Sequence, residues 1–370
     1  MTTCGQAPSM FRSDDLRREH VQDVAGHARK TLRIMVLLAL HVGIERWPLA
    51  KPFRITGYLF EVVDILSLVL EKDGCVARGE AIGVYYRNDS IARMAKQIEA
   101  LRPKIEAGVS REWVQQMFPT GGARNALDCA LWDLEAKLTG QSVWQLARLE
   151  KPRPLLTTFT CGADEPEKMA AVARAYNNAR AVKLKLTGEP IDAARVRAVR
   201  DARPDVWLGV DANQGFTRES LERLMPVLVE TGVALIEQPF PVGQEALLDD
   251  FRSPIAIAAD ESAQGLSDIS SLVGRFSVIN IKLDKCGGLT EGLAMARAAR
   301  EIGIDAMVGS MLGTSLAMAP AFVLGQLCKV VDLDAPLFLK GDRSNPVRYD
   351  DGFISCPESL WGHASGDARE

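Results

Sequence analysis

The chain has 370 residues, 47% of them hydrophobic, and a formal net charge of −4. That length is too great for one small domain and suits a large core plus a second domain. The near-neutral balance and lack of a long basic stripe exclude an ordinary nucleic-acid binder. Seven scattered cysteines with no CxxC pair fit free thiols in a reducing, cytoplasmic setting.

Residues 1–34 carry mixed charge and little periodicity, which predicts a poorly ordered extension or a short peripheral helix. A basic flank then precedes "TLRIMVLLALHVGI". This run is too short to span a membrane, and "HVGIERWPLAKPF" after it lacks a small-residue cleavage site. A first β-strand is therefore expected in place of a secretory leader, and no membrane partner.

Residues 35–150 read as an α+β domain. "MVLLALHVGIERW" and "YLFEVVDILSLVLEKDG" are strand-like, the second turning at Asp73-Gly74 into "CVARGEAIGV". "SIARMAKQIEALRPKIEAG" and "ARNALDCALWDLEAKLTGQSVWQLA" repeat apolar residues every three or four positions and predict helices.

From residue 151 to 335 short apolar strands alternate with amphipathic helices. The strands are "LTTFTCG", "AVKLKL", "VWLGVDAN", "ALIEQP", "IAIAADE", "SVINIKLDK", "DAMVGSM" and "KVVDLDAP". Eight such units describe an α/β fold, a (β/α)8 barrel. Residues 336–370 look irregular, and the strand-like "GFISC" is expected to return to the first domain.

Barrel enzymes carry their chemistry at the C-terminal ends of the strands. Asp211, Glu237 and Asp260 end three consecutive strands, each after an apolar run. Adjacent strands lie about 4.8 Å apart, so the three carboxylates can converge on one Mg²⁺, or a Mn²⁺. The alternative for each acid is to cap the helix that follows it.

Lys183 and Lys185 alternate on strand two and project from one face. Lys285 ends strand six, placing it across the acids from Lys185. A poorly solvated lysine near other cations can serve as a base near neutral pH. Two such bases on opposite faces of one carbon can invert it, with Lys183 tuning Lys185. Lys282, read as facing the same side as Asp284, is given a structural place. The histidines, His20, His27, His41 and His363, lie outside the barrel strands, so a histidine base is not expected.

These residues resemble the enolase superfamily in its muconate-lactonizing branch. The carriers are "KLK", "VDANQG", "IEQP", "ADES" and "IKLDKCGG" in that order, with "RWPLAKPF" and "GEA" in the α+β domain. The resemblance covers about residue 37 to the C-terminus. It implies that the barrel is a modified (β/α)8 barrel with the α+β domain as its N-terminal cap. It also implies one Mg²⁺ per subunit on Asp211, Glu237 and Asp260, and Lys185 and Lys285 as the acid/base pair. "VVDLDAP" further resembles the dipeptide epimerase signature, in which Asp332 and Asp334 bind the α-ammonium of a dipeptide. Two solvated loop acids are the alternative. By the same resemblance Thr160 and Ser310 help position substrate and Asn213 supports the metal site.

The first cap loop, "KPFRITGYLFE", departs from relatives acting on Ala-Glu: Arg54 stands early and no arginine follows. With Tyr58, Tyr85 and Tyr86 it predicts a lining for a hydrophobic or small neutral side chain, unless both loops only pack as structure. The expected activity is Mg²⁺-dependent dipeptide epimerisation by a homo-oligomer acting on a small molecule. A cycloisomerase or lyase of the muconate cycloisomerase or o-succinylbenzoate synthase kind is the alternative on the same scaffold.

Overall fold

A short turn and apolar alternation build the cap. In the structure, a computed structural model describing residues 38–55 and 57–363, strands β1 (Ala39–Ile55) and β2 (Tyr58–Lys72) pair antiparallel. Asp73 and Gly74 both take positive φ, 52° and 81°, as a tight hairpin turn requires. They lead into β3 (Cys75–Ala81), which completes a three-stranded sheet. Leu66, Leu68 and Leu70 share one face of β2 and are fully buried. They pack with Met94 and Ile98 of the helix Ile91–Glu106 and with Leu127 and Ala130 of the helix Gly122–Thr139. The extension foreseen over residues 1–34 lies outside the described residues.

After β4 (Leu155–Leu156) the chain enters a parallel sheet. Its strands are β5 (Phe159–Cys161), β6 (Ala181–Lys185), β7 (Trp207–Asp211) and β8 (Val233–Glu237). They continue as β9 (Ala256–Ala259), β10 (Val278–Lys282), β11 (Asp305–Gly309) and β12 (Val330–Asp332). All eight neighbour one another in chain order. The ring closes where Thr158 N donates to Val331 O at 2.9 Å and Leu333 N to Thr157 Oγ1 at 3.0 Å.

Period-two alternation divides the strand side chains between two surroundings. Ile279 and Ile281 face the surrounding helices in the main core. Leu235, Ala258, Val278 and Met307 fill the interior at its base. Above that layer the interior positions become polar, which sets the site at the C-terminal end.

The C-terminal segment forms a hairpin of β13 (Arg348–Asp350) and β14 (Phe353–Ser355). β14 pairs with β4, just before the barrel, in a separate three-stranded sheet and not with the cap sheet. Beyond it Trp361 Nε1 donates to Arg78 O and Gly362 N to Asp133 Oδ1 in the cap. Among the described residues, no helix is long and apolar enough to cross a membrane, and six cysteines are free thiols.

Candidate active site

Strand register brings the first three site residues into one row: Lys185 lies opposite Asp211, and Asp211 opposite Glu237. Asp260 follows β9 by one residue, on the same face as Ala258. Asp211, Glu237 and Asp260 are all buried, and each offers a carboxylate oxygen within 4.8 Å of the others. Burial, and then the charge of Asp211, push the Glu237 carboxyl up to about 7. Asn213 donates to Asp211 through its backbone N, at 2.8 Å, and its Nδ2, at 3.3 Å. The buried oxygens Asn213 Oδ1 and Glu261 Oε2 have no hydrogen-bond partner. Three crowded carboxylates beside unpaired oxygens make an all-oxygen donor set, which fits Mg²⁺ or Mn²⁺.

Each carboxylate also faces a lysine. Lys185 Nζ lies 2.5 Å from Asp211 Oδ2, Lys183 Nζ 3.1 Å from Glu237 Oε2, and Lys282 Nζ 2.6 Å from Asp260 Oδ2. Lys183 also pairs with Asp332. Burial disfavours the Lys183 ammonium, but Asp332, Glu237 and Asp211 outweigh it and hold its pKa well above the usual range. For Lys282 burial is likewise outweighed, chiefly by Asp260 and Glu237.

The two lysines near strand six exchange the places expected of them. β10 ends at Lys282, and Val278, Asn280 and Lys282 alternate toward the interior. Asn280 Nδ2 reaches Glu237 Oε1 at 2.6 Å, and Lys282 lines the same cavity as Lys183 and Lys185. Lys285 sits one turn later, in the short helix Leu283–Cys286, fully buried and outside that lining. Its Nζ donates to Asp260 O, to Asp260 Oδ1 at 2.6 Å and to Asn280 O at 2.9 Å. Burial lowers its pKa, yet three acceptors engage all three protons of an ammonium and leave no lone pair for a base. The expected base role of Lys285 therefore does not fit its surroundings; the side chain in position is Lys282. Gly309, opposite Lys282 on β11, keeps the space open: a Cβ there would lie 2.7 Å from Asn280 Oδ1 and 3.1 Å from Lys282 Cε.

On the third side of the cavity stand Asp332 and Asp334, with Thr160 and Ser310. Asp332 accepts from Thr158 Oγ1 and Lys183, and the Lys183 ammonium outweighs burial to hold its pKa low. Asp334 accepts from Thr160 N at 2.7 Å, and burial followed by the Asp332 charge pushes it up to about 7. A cation placed beside this pair would relieve that crowding.

The cap supplies an apolar wall of Phe53, Ile55, Phe60, Ile82 and Tyr85, joined by Phe338. Phe53 and Phe338 pack with centroids 4.5 Å apart. Of the four cap residues singled out in the sequence, only Tyr85 lines the cavity. Arg54 points outward from β1, and Tyr58 is exposed and packs edge-on against Tyr85. Tyr86 OH accepts from Gln264 Nε2 at 3.1 Å instead. Arg87 is engaged by Gln264 and Thr120. Among the described residues lining the cavity, Lys183, Lys185 and Lys282 are the only cations.

Comparison with known proteins gives a consistent picture. Residues 39–147 match the family described as mandelate racemase / muconate lactonizing enzyme, N-terminal domain, and residues 167–363 match enolase C-terminal domain-like. The chain is 38% identical over 310 residues to an L-Ala-D/L-Glu epimerase of Escherichia coli, covering 83% of this chain and 96% of that protein. It is 40% identical over 293 residues to an N-acetyl-D-glutamate racemase of a Pseudoalteromonas species, covering 76% and 90%. The crystal structure of a dipeptide epimerase from Methylococcus capsulatus, complexed with Mg and L-Arg-D-Lys, superposes with a TM-score of 0.83 at 29% identity. That match covers 89% of this chain and 99% of the other.

Proposed function

The chain belongs to the mandelate racemase / muconate lactonizing enzyme family of the enolase superfamily, and from that premise we propose that it is a Mg²⁺-dependent dipeptide epimerase. The reaction is a 1,1-proton transfer at the α-carbon of the C-terminal residue. The observation that carries this reading is the cavity lined by Lys185 on β6 and Lys282 on β10, four strands apart in a ring of eight. The three carboxylates lie on the strands between them. A second lysine across the cavity gives inversion a proton donor on the far face, which a lyase or cycloisomerase does not need.

Asp211, Glu237 and Asp260 would hold the cation, which supplies positive charge against the substrate carboxylate and so stabilises the enediolate formed on proton loss. One lysine takes the α-proton from its face while the other, as an ammonium, delivers one from the opposite face. Lys183, pinned between Glu237 and Asp332, holds those two side chains in place and remains charged. Asp332 and Asp334 receive the substrate ammonium by charge-assisted hydrogen bonds. Met311, Leu312 and the cap wall enclose the side chain of the inverted residue.

That wall favours an apolar side chain over glutamate. Burying a leucine or phenylalanine side chain contributes roughly 1.5–3 kcal/mol, whereas a buried carboxylate without a cation is costly. L-Ala-L-Leu and L-Ala-L-Phe should therefore exceed L-Ala-L-Glu in kcat/KM by about 10–100-fold, measured by NMR conversion to the L,D epimers. Preference for L-Ala-L-Glu would contradict the apolar assignment while leaving epimerisation intact. For the ammonium site, Asp334→Asn should raise KM for a free dipeptide by about 10–100-fold and leave kcat nearly unchanged. An equal effect on the N-acetylated dipeptide would remove the ammonium role from Asp334.

A further inference from the structure

Gln238, the residue after Glu237, holds an unusual conformation deep in the protein. Its φ is 35° and it is 1% exposed. A non-glycine residue in the left-handed region is strained and persists only where its surroundings require it. Its side-chain amide meets four partners. Nε2 donates to Phe240 O at 2.9 Å and to Ser262 Oγ at 2.8 Å. Oε1 accepts from Asp260 N at 2.8 Å and from Ser262 N at 3.1 Å. All the hydrogen-bonding capacity of the amide is thereby used.

Its main chain is equally engaged. Gln238 N donates to Ala258 O at 2.9 Å, and Gln238 O accepts from Gln214 N at 2.9 Å. Gln214 follows Asp211 by three residues and also has positive φ, 67°. One residue thus ties the ends of β7, β8 and β9, the three strands whose ends present Asp211, Glu237 and Asp260.

We infer that Gln238 is a positioning residue for the cation site: its left-handed turn aims the amide across the strand gap, and its Oε1 fixes the backbone from which Asp260 projects relative to Glu237. The inference rests on the reading that these acids bind a divalent cation. Such supporting hydrogen bonds typically change metal affinity by about 10–100-fold when lost.

The test is Mn²⁺ titration of the full-length protein without substrate, following free Mn²⁺ by electron paramagnetic resonance. Gln238→Met keeps a similar volume and removes every side-chain hydrogen bond. Gln238→Asn tolerates positive φ but is one methylene too short to span to Asp260 N, and it serves if the methionine variant does not fold. A folded variant, judged by circular dichroism, should bind Mn²⁺ about 10–100-fold more weakly than the wild type. A variant with a lowered melting temperature but the wild-type Kd would overturn the inference, because a purely structural role gives that result. Wild-type protein that does not bind Mn²⁺ would instead overturn the cation reading itself, and this inference with it.

Discussion

Lys282→Ala should lower epimerisation by about 10²–10⁴-fold, the range over which positioned acid–base groups act. The loss should be one-sided: one epimer still exchanges its α-proton with D₂O through Lys185, and the other does not. Lys185→Ala should show the reverse preference. Lys282 earns this role from its place at the inward end of β10, lining the cavity beside Lys183 and Lys185. Lys285→Met should behave differently, because its ammonium is occupied by Asp260 and Asn280 and does not line the cavity. Both epimers should keep exchanging in that variant, whatever it costs in stability. Exchange lost from one epimer in Lys285→Met, with Lys282→Ala unaffected, would give the base role to Lys285 instead.

Removing divalent cations with EDTA should stop exchange from both faces at once, by about 10³-fold or more, since charge stabilisation of several kcal/mol is lost. Mg²⁺ should restore it, and Mn²⁺ as well. The fold should survive chelation. Asp211, Glu237 and Asp260 each lie within 3.1 Å of a lysine Nζ, so none is left as an uncompensated buried charge. Far-UV circular dichroism with and without EDTA checks this. Exchange that continues at full rate in EDTA would remove the cation from the account.

The barrel was legible because each strand is short, apolar and followed by a helical period, and because acids stand at the ends of "WLGVD", "ALIE" and "AIAAD". The two cap strands and their Asp73-Gly74 turn were legible for similar reasons. The choice between Lys282 and Lys285 turned on where β10 stops. In "SVINIKLDK" the apolar residues Val278, Ile279 and Ile281 fall on both faces, so the run alone does not say which side is the interior. The signal was Asn280, two residues before Lys282, as Lys183 stands two before Lys185. A polar pair at i and i+2 marks the inward face on both strands. The cap wall was harder, because "KPFRITGYLFE" was read as a loop, whereas β1 and β2 run through it. Phe53 and Ile55 on β1 and Phe60 on β2 line the cavity, while Arg54, between the first two, and Tyr58 do not. Gln238 stands in the quoted "IEQP", but its role was not legible there, since it depends on a left-handed φ and on partners beyond the next strand.

The most direct measurement is mass and NMR analysis of L-Ala-L-Leu incubated with the purified protein and Mg²⁺ in D₂O. The account predicts one deuterium at the α-carbon of the leucine, none at the alanine, and accumulation of L-Ala-D-Leu. No deuterium uptake from this or any other free dipeptide, or uptake without inversion, would contradict it.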